Sequence, residues 1–203
     1  TIFRKIDLCF NLSKDDYIRW SNIQHIDIIE IDNLIKDKQH NEYPSSPTDS
    51  IIIRLKHKPK TPLLYKYLIV MDESETLITS KLPYFDIFYL KNFQNYKSII
   101  KLLKKLNRKN IGIEIKIRDI RICNSYDVGK WAKCIKDVYK FCKLTNNQII
   151  ISSGAENEYE TISGNTFDSI LKIFEVDPIT YWNDLEKWLY IKSGIYYSAS
   201  EKG

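Results

Sequence analysis

IGIEIKIRDIRICNSYDVGKWAKCIKDVYKFCKLTNNQIIISSGA, residues 111–155, sets two short isoleucine-rich runs on either side of a helical pattern. The runs at 111–117 and 148–151 are brief and β-branched, as strands are. Between them, at 129–144, Trp131, Ile135, Val138 and Cys142 recur at helical spacing, with Lys133, Lys136, Lys140 and Lys143 on the opposite side. A strand, a crossover helix and a second strand make a βα unit, which brings the strands parallel and buries both faces.

The same alternation extends outward. Further strands are expected at 3–10, 26–31, 51–55, 66–71 and 85–90. NYKSIIKLLKKLNRKN, residues 95–110, predicts a helix with Ile99, Leu102, Leu103 and Leu106 inward and Lys97, Lys101, Lys104 and Arg108 outward. Asp177-Pro178 is a helix start, a capping carboxylate followed by proline at the first helical position. Ile179, Trp182, Leu185 and Leu189 then supply the apolar face. The stretch 36–50, KDKQHNEYPSSPTDS, predicts a polar loop excursion, and HKPKTPLLYK at 57–66 is too short and proline-rich for a normal crossover helix. The expectation is one α/β domain over residues 1–203, a small and irregular TIM-barrel-like (β/α) barrel of about seven parallel strands. A doubly wound open sheet is the alternative, because both architectures need the same buried parallel strands.

Composition narrows the class. A hydrophobic share of 43% beside 28% charged residues fits an ordinary globular chain, and no apolar run approaches the length of a membrane span. With no basic-then-apolar leader, a cytoplasmic location is expected, without membrane association. The four cysteines form no CxxC pair and read as buried small hydrophobes. His25, His40 and His57 are scattered without metal-ligand spacing, so no metal site is expected.

Ser153 ends a strand, where barrel enzymes keep their chemistry, but neither the G-x-S-x-G pattern nor a nearby base accompanies it. Asp7, Glu30 and Asp32 are the alternative, carboxylates for a metal-dependent phosphoesterase. Glu114, inside a strand, is expected to be neutralised by a neighbouring Arg or Lys. No catalytic residue is assigned. Ser152, Ser153 and Gly154 are expected to shape a turn, and the acidic run at Glu156, Glu158 and Glu160 repels a bound phosphate.

The net charge of +5 is modest, but its distribution is uneven. Arg54, Lys56, Lys58 and Lys60 run out of one strand; Lys116, Arg118 and Arg121 run out of another. Cations on separate connections can merge into a surface for a phosphate backbone, making these seven the candidate RNA contacts. The lysines between 97 and 109 read equally well as a solvated helix face. A third possibility is an interaction module whose charge serves solubility alone.

Two segments carry a resemblance. Glu114-Ile115-Lys116-Ile117-Arg118 and Ser152-Ser153-Gly154-Ala155 resemble the E-I-x-[LI]-R and S-S-G-A segments that end successive strands in protein component 3 of archaeal ribonuclease P, the family of the thirty-kilodalton eukaryotic subunit. Ile6-Asp7-Leu8 is similar to the opening strand of that family, and Asp86 to the aspartate of another. The chain departs after Arg118, with Asp119-Ile120-Arg121 where the family has proline and leucines, and it lacks an arginine after the S-S-G-A turn. The resemblance implies a TIM-barrel-like protein subunit of an endoribonuclease that matures the 5′ end of precursor tRNA. Catalysis would belong to the ribonuclease P RNA with its Mg²⁺, and this chain would bind no cofactor. Its partners would be that RNA, protein component 2, the other protein subunits and, through the complex, precursor tRNA.

Overall fold

The computed structural model describes residues 5–9, 19–20, 23–24, 26, 28–31, 51–60, 66–72, 84–121 and 123–193. The excursion expected at 36–50 and Asp32 lie outside them, as does the side chain of Glu30. The protein is a mixed α/β fold on a parallel sheet. Its strands are β1 (Ile6–Asp7), β2 (Ile28–Ile31), β3 (Ile51–Leu55), β4 (Lys66–Asp72), β5 (Ile87–Tyr89), β6 (Gly112–Lys116) and β7 (Gln148–Ser152). Each pairs in parallel with the next, so sheet order follows chain order. Among the described residues the helices followed from end to end are α1 (Tyr96–Leu106), α2 (Ser125–Thr145), α3 (Gly164–Ile173) and α4 (Pro178–Ser193).

Local chemistry sets the helix limits. Asn124 accepts from the Asp127 N–H and opens α2 a full turn before the start expected at 129. The αL conformations of Asn107 (φ 47°) and Asn146 (φ 54°) end α1 and α2. Ser163 caps α3 through the Thr166 N–H, and Asp177 Oδ2 caps α4 at Thr180. The inward side chains expected on α2 are all buried, joined by Cys134 and Phe141. On α1 only Tyr96 and Leu103 are fully buried; Ile99, Leu102 and Leu106 are half-buried.

On α4, Ile179 is 56% exposed and does not belong to the apolar face. Tyr181 and Trp188 take that role, because α4 lies against β1, β4 and β7. The Trp188 indole N–H donates to Asn110 O at 3.1 Å, just before β6. A side chain at Gly112 would collide with Ile150 Cδ1 and meet the Trp188 ring at 3.0 Å, so glycine makes the room this contact needs.

The first strand also meets the last. Gly154 N donates to Cys9 O at 3.0 Å, and Lys5, ahead of β1, pairs with Asp168 on α3. The β7 amide of Ile151 donates to the Tyr181 hydroxyl at 2.8 Å. Among the described residues no helix is long and apolar enough to cross a membrane.

Candidate functional site

The C-terminal strand ends hold a buried polar cluster. Arg54, the fourth residue of β3, lies in the sequence IIIRL, whose apolar neighbours carry it into the core, where it is 5% exposed. Its guanidinium makes a two-pronged pair with Glu114 on β6 and donates to Leu8 O at 2.8 Å. Ser152 Oγ, on β7, completes the set by donating to Glu114 Oε1 at 2.8 Å. Burial by itself drives the Glu114 carboxyl upward, but the charges of Arg54 and Lys116 and these hydrogen bonds hold it below the usual range. Arg54 was expected to reach RNA; its guanidinium instead serves the interior.

Asp7 is fully buried at the end of β1. Its Oδ1 accepts from the N–H groups of Ser153 (3.0 Å) and Cys9 (3.2 Å), linking the β1 and β7 ends. Its Oδ2 has no hydrogen-bond partner. Burial raises the Asp7 pKa to about 6, against the pull of its bonds to Ser153. The Ser153 hydroxyl donates to Cys9 O at 3.1 Å and accepts from the Ala155 amide, leaving the fully buried serine no route to a substrate as a nucleophile. Gly154 turns the chain at φ +67°, where a side chain would touch Lys116 and Arg118 at 3.1 Å. Burial pushes the Cys9 thiol up to about 12, which keeps it protonated and unreactive at neutral pH. Among the described residues no three His, Cys, Asp or Glu side chains gather in a way that would hold a metal ion.

Outside this cluster β6 ends at Lys116, and residues 117–120 form a 3₁₀ turn rather than further strand. Lys116 is half-buried, its Nζ 4.1 Å from the Tyr89 ring centroid. Burial lowers its pKa, but the Glu114 carboxylate and the contact with Cys9 together outweigh this, so the amine stays charged. The Tyr89 hydroxyl donates to Asp119 at 2.9 Å. The arginines that follow meet the acidic run head-on. Arg118 pairs with Glu156 and, at 3.5 Å, with Glu160; Arg121 donates to Glu160 O at 2.8 Å. Two sequence features of opposite charge thus neutralise each other, and Arg118 must leave its carboxylates before it can meet a phosphate.

The remaining candidates are open to solvent. Lys56, Lys58 and Lys60 are exposed on the loop after β3. Lys56 and Lys58 line a cavity of about 720 Å³ with Lys66, Lys192, Tyr67 and Tyr84. Asp86 enters the same cavity; it takes the Ile69 N–H and the Tyr84 hydroxyl and lies 3.3 Å from Lys192. The sequence reading did not single out Lys66 and Lys192. They come from β4 and the last turn of α4, and no local pattern announces that such distant lysines converge.

The structure therefore splits the seven expected contacts: Arg54 is interior, Lys116, Arg118 and Arg121 rim the β6 end, and Lys56, Lys58 and Lys60 are the free-standing cations. No protein-family model matches the chain, and no characterised protein is significantly similar to it in sequence.

Proposed function

We propose that the sheet closes into a small (β/α) barrel and that the chain is a non-catalytic protein subunit of a ribonuclease P-type ribonucleoprotein. In that role it supports the catalytic RNA in 5′-end maturation of precursor tRNA, beside protein component 2 and the other subunits.

Closure is supported by reach. Neighbouring strands lie about 4.8 Å apart, so on a flat sheet β3 and β6 would be roughly 14 Å apart and β1 and β7 roughly 29 Å. Arg54 nevertheless bonds Glu114, and Asp7 bonds Ser153. A sheet curled into a barrel accounts for both contacts.

The observation that carries the functional reading is the interlock of the two segments on which the resemblance rests. Ser152 donates to Glu114, the Arg118 N–H donates to Ser153 O at 3.1 Å, and Gly154 leaves space for the Lys116 and Arg118 side chains. The residue types that carry the resemblance sit where they hold two strand ends together, and the Glu114 carboxylate is occupied in doing so. This interlock supports the reading of the chain as a scaffold.

Reconstitution tests the reading. The chain is combined with an archaeal ribonuclease P RNA, protein component 2 and the remaining subunits, and precursor tRNA cleavage is followed with and without it. Lower Mg²⁺ demand or faster cleavage on adding the chain is the expected result. Indifference of the assembly to the chain, or Mn²⁺-dependent phosphoester hydrolysis by the chain alone that is lost on Asp7→Asn, overturns it in favour of the phosphoesterase alternative.

A further inference from the structure

The strongest charge asymmetry lies on the helices rather than the strand ends. Residues 91–110 contain seven basic residues and no acidic one; residues 129–144 contain five basic and one acidic. Against a whole-chain charge of +5, these two segments alone carry an excess of eleven positive charges, and the rest of the chain is net negative. Residues 154–193, with eight acidic and three basic residues, are the counterweight.

The fold concentrates this excess. α1 and α2 follow successive strands and pack on each other, so their outer faces adjoin. Tyr96 ties them by donating to Asp137, the one carboxylate of the two segments, which is thereby occupied. Lys104 leans across, its Nζ 5.9 Å from the Phe141 ring centroid on α2. Lys97, Lys101, Lys104 and Lys105 are all exposed, at spacings that keep them on adjoining turns of one face. Lys133 and Lys140 are exposed on α2 and lie two turns, about 10 Å, apart. Lys136 and Lys143 differ: they pair with Glu175 and Asp184 of the acidic layer. The boundary between the two charge layers is thus stapled by ion pairs, while the centre of the basic face carries no carboxylate but Asp137.

A merely solvated helix usually mixes its signs, because like charges at adjacent turns repel one another. A face so rich in cations accepts that repulsion and is relieved by a polyanion. No large apolar side chain is exposed on α1; on α2 those that are, Tyr126, Val128 and Leu144, lie at its two ends, so the middle of the face, where the lysines gather, lacks what an interfacial membrane helix inserts. A spread of point charges over two adjoining helices matches a regular phosphate backbone.

We propose that the α1–α2 face is a sequence-independent binding surface for a nucleic-acid backbone, in the first instance duplex RNA. The proposal does not depend on membership of any ribonucleoprotein.

The test is fluorescence anisotropy of the full chain with a labelled RNA duplex of about twenty base pairs and arbitrary sequence, over a salt series. Each phosphate contact contributes roughly 0.9 to the slope of log affinity on log salt. K97Q/K101Q/K104Q/K105Q is expected to lower the slope by about 3 to 4 and to weaken binding more than tenfold near 0.1 M salt. K133Q/K140Q is expected to lower it by about 2. These lysines are exposed, and circular dichroism melts confirm that the variants remain folded. The proposal is overturned if the wild type ignores the duplex at low salt, or if the α1 variant binds like wild type. Equal competition by polyglutamate, or anionic vesicles bound more tightly than RNA, overturns it equally by assigning the face to an acidic protein or a lipid surface. Because the duplex is unrelated to tRNA processing, failure here leaves the reconstitution result standing, and failure there leaves this one standing.

Discussion

Two arginines, Arg54 and Arg118, sit at the ends of strands three places apart in the sheet, and each pairs with glutamate. Arg54 and its partner Glu114 have side chains 4% and 0% exposed; Arg118 and Glu156 are 39% and 50% exposed. The first pair is a structural member, since either charge left alone in the core is costly. The second is a screened surface contact that can open and re-form. The same side-chain chemistry fixes the interior in one place and keeps a cation in reserve in the other.

Breaking the buried pair should have the largest effect. Glu114→Ala takes from the buried Arg54 guanidinium its two-pronged carboxylate, and is expected to cost about 3–5 kcal/mol in urea unfolding. The double change Arg54→Met with Glu114→Leu should recover most of that loss, because a packed apolar pair avoids the desolvation of two charges. If the single and double variants are equally destabilised, the pair's charge is not what matters at this position.

Asp7 gives an intermediate effect and sharpens the contrast, being a buried carboxylate with no cation bonded to it. Its pKa is raised from 3.8 to about 6, so the fold binds the proton more tightly than the unfolded chain does. The stability from this group is therefore full below pH 3.8 and falls as pH rises toward 6, by about 3 kcal/mol in total. Asp7→Asn keeps an acceptor for the Ser153 and Cys9 amides and should flatten this slope, as read by denaturation at pH 4.5 and 7.5. An unchanged slope would assign the pH dependence to other groups.

The smallest effect belongs to the exposed pair. Arg118→Ala should change stability by less than about 1 kcal/mol, and less still at high salt. A loss comparable to that of Glu114→Ala would erase the distinction between the two arginines.

The sequence revealed one half of this comparison more clearly than the other. The helices were legible because Trp131, Ile135, Val138 and Cys142 repeat at a spacing only a helix aligns. The strands were legible because runs such as IIIRL and QIIIS are too apolar to face water. Arg54 was misplaced because its fate depends on Glu114, sixty residues away, and no local pattern encodes that meeting. Arg118 was placed at a strand end correctly in the chain, but its carboxylate partners come from beyond β7. Both cases are of one kind: a charge's role depends on its neighbour in space. The lysines of α1 and α2 were legible as an outward stripe, but only the packing of the two helices turns two stripes into one face. Ile179 shows the limit of periodicity, since it has the right spacing yet faces outward where α4 meets no neighbour.

The contacts between β1 and the C-terminal third have a consequence for the order in which the protein assembles. Asp7 finds its partner Ser153 across 146 residues, and Lys5 finds Asp168 across 163. Synthesis runs from the N-terminus, so the first strand leaves the ribosome long before either partner exists. Contacts this remote in sequence carry a high loop-closure cost and slow the search for the native pairing. Until those partners emerge β1 can pair only with β2, so the contacts that join it to β7 and α3 should be among the last to form.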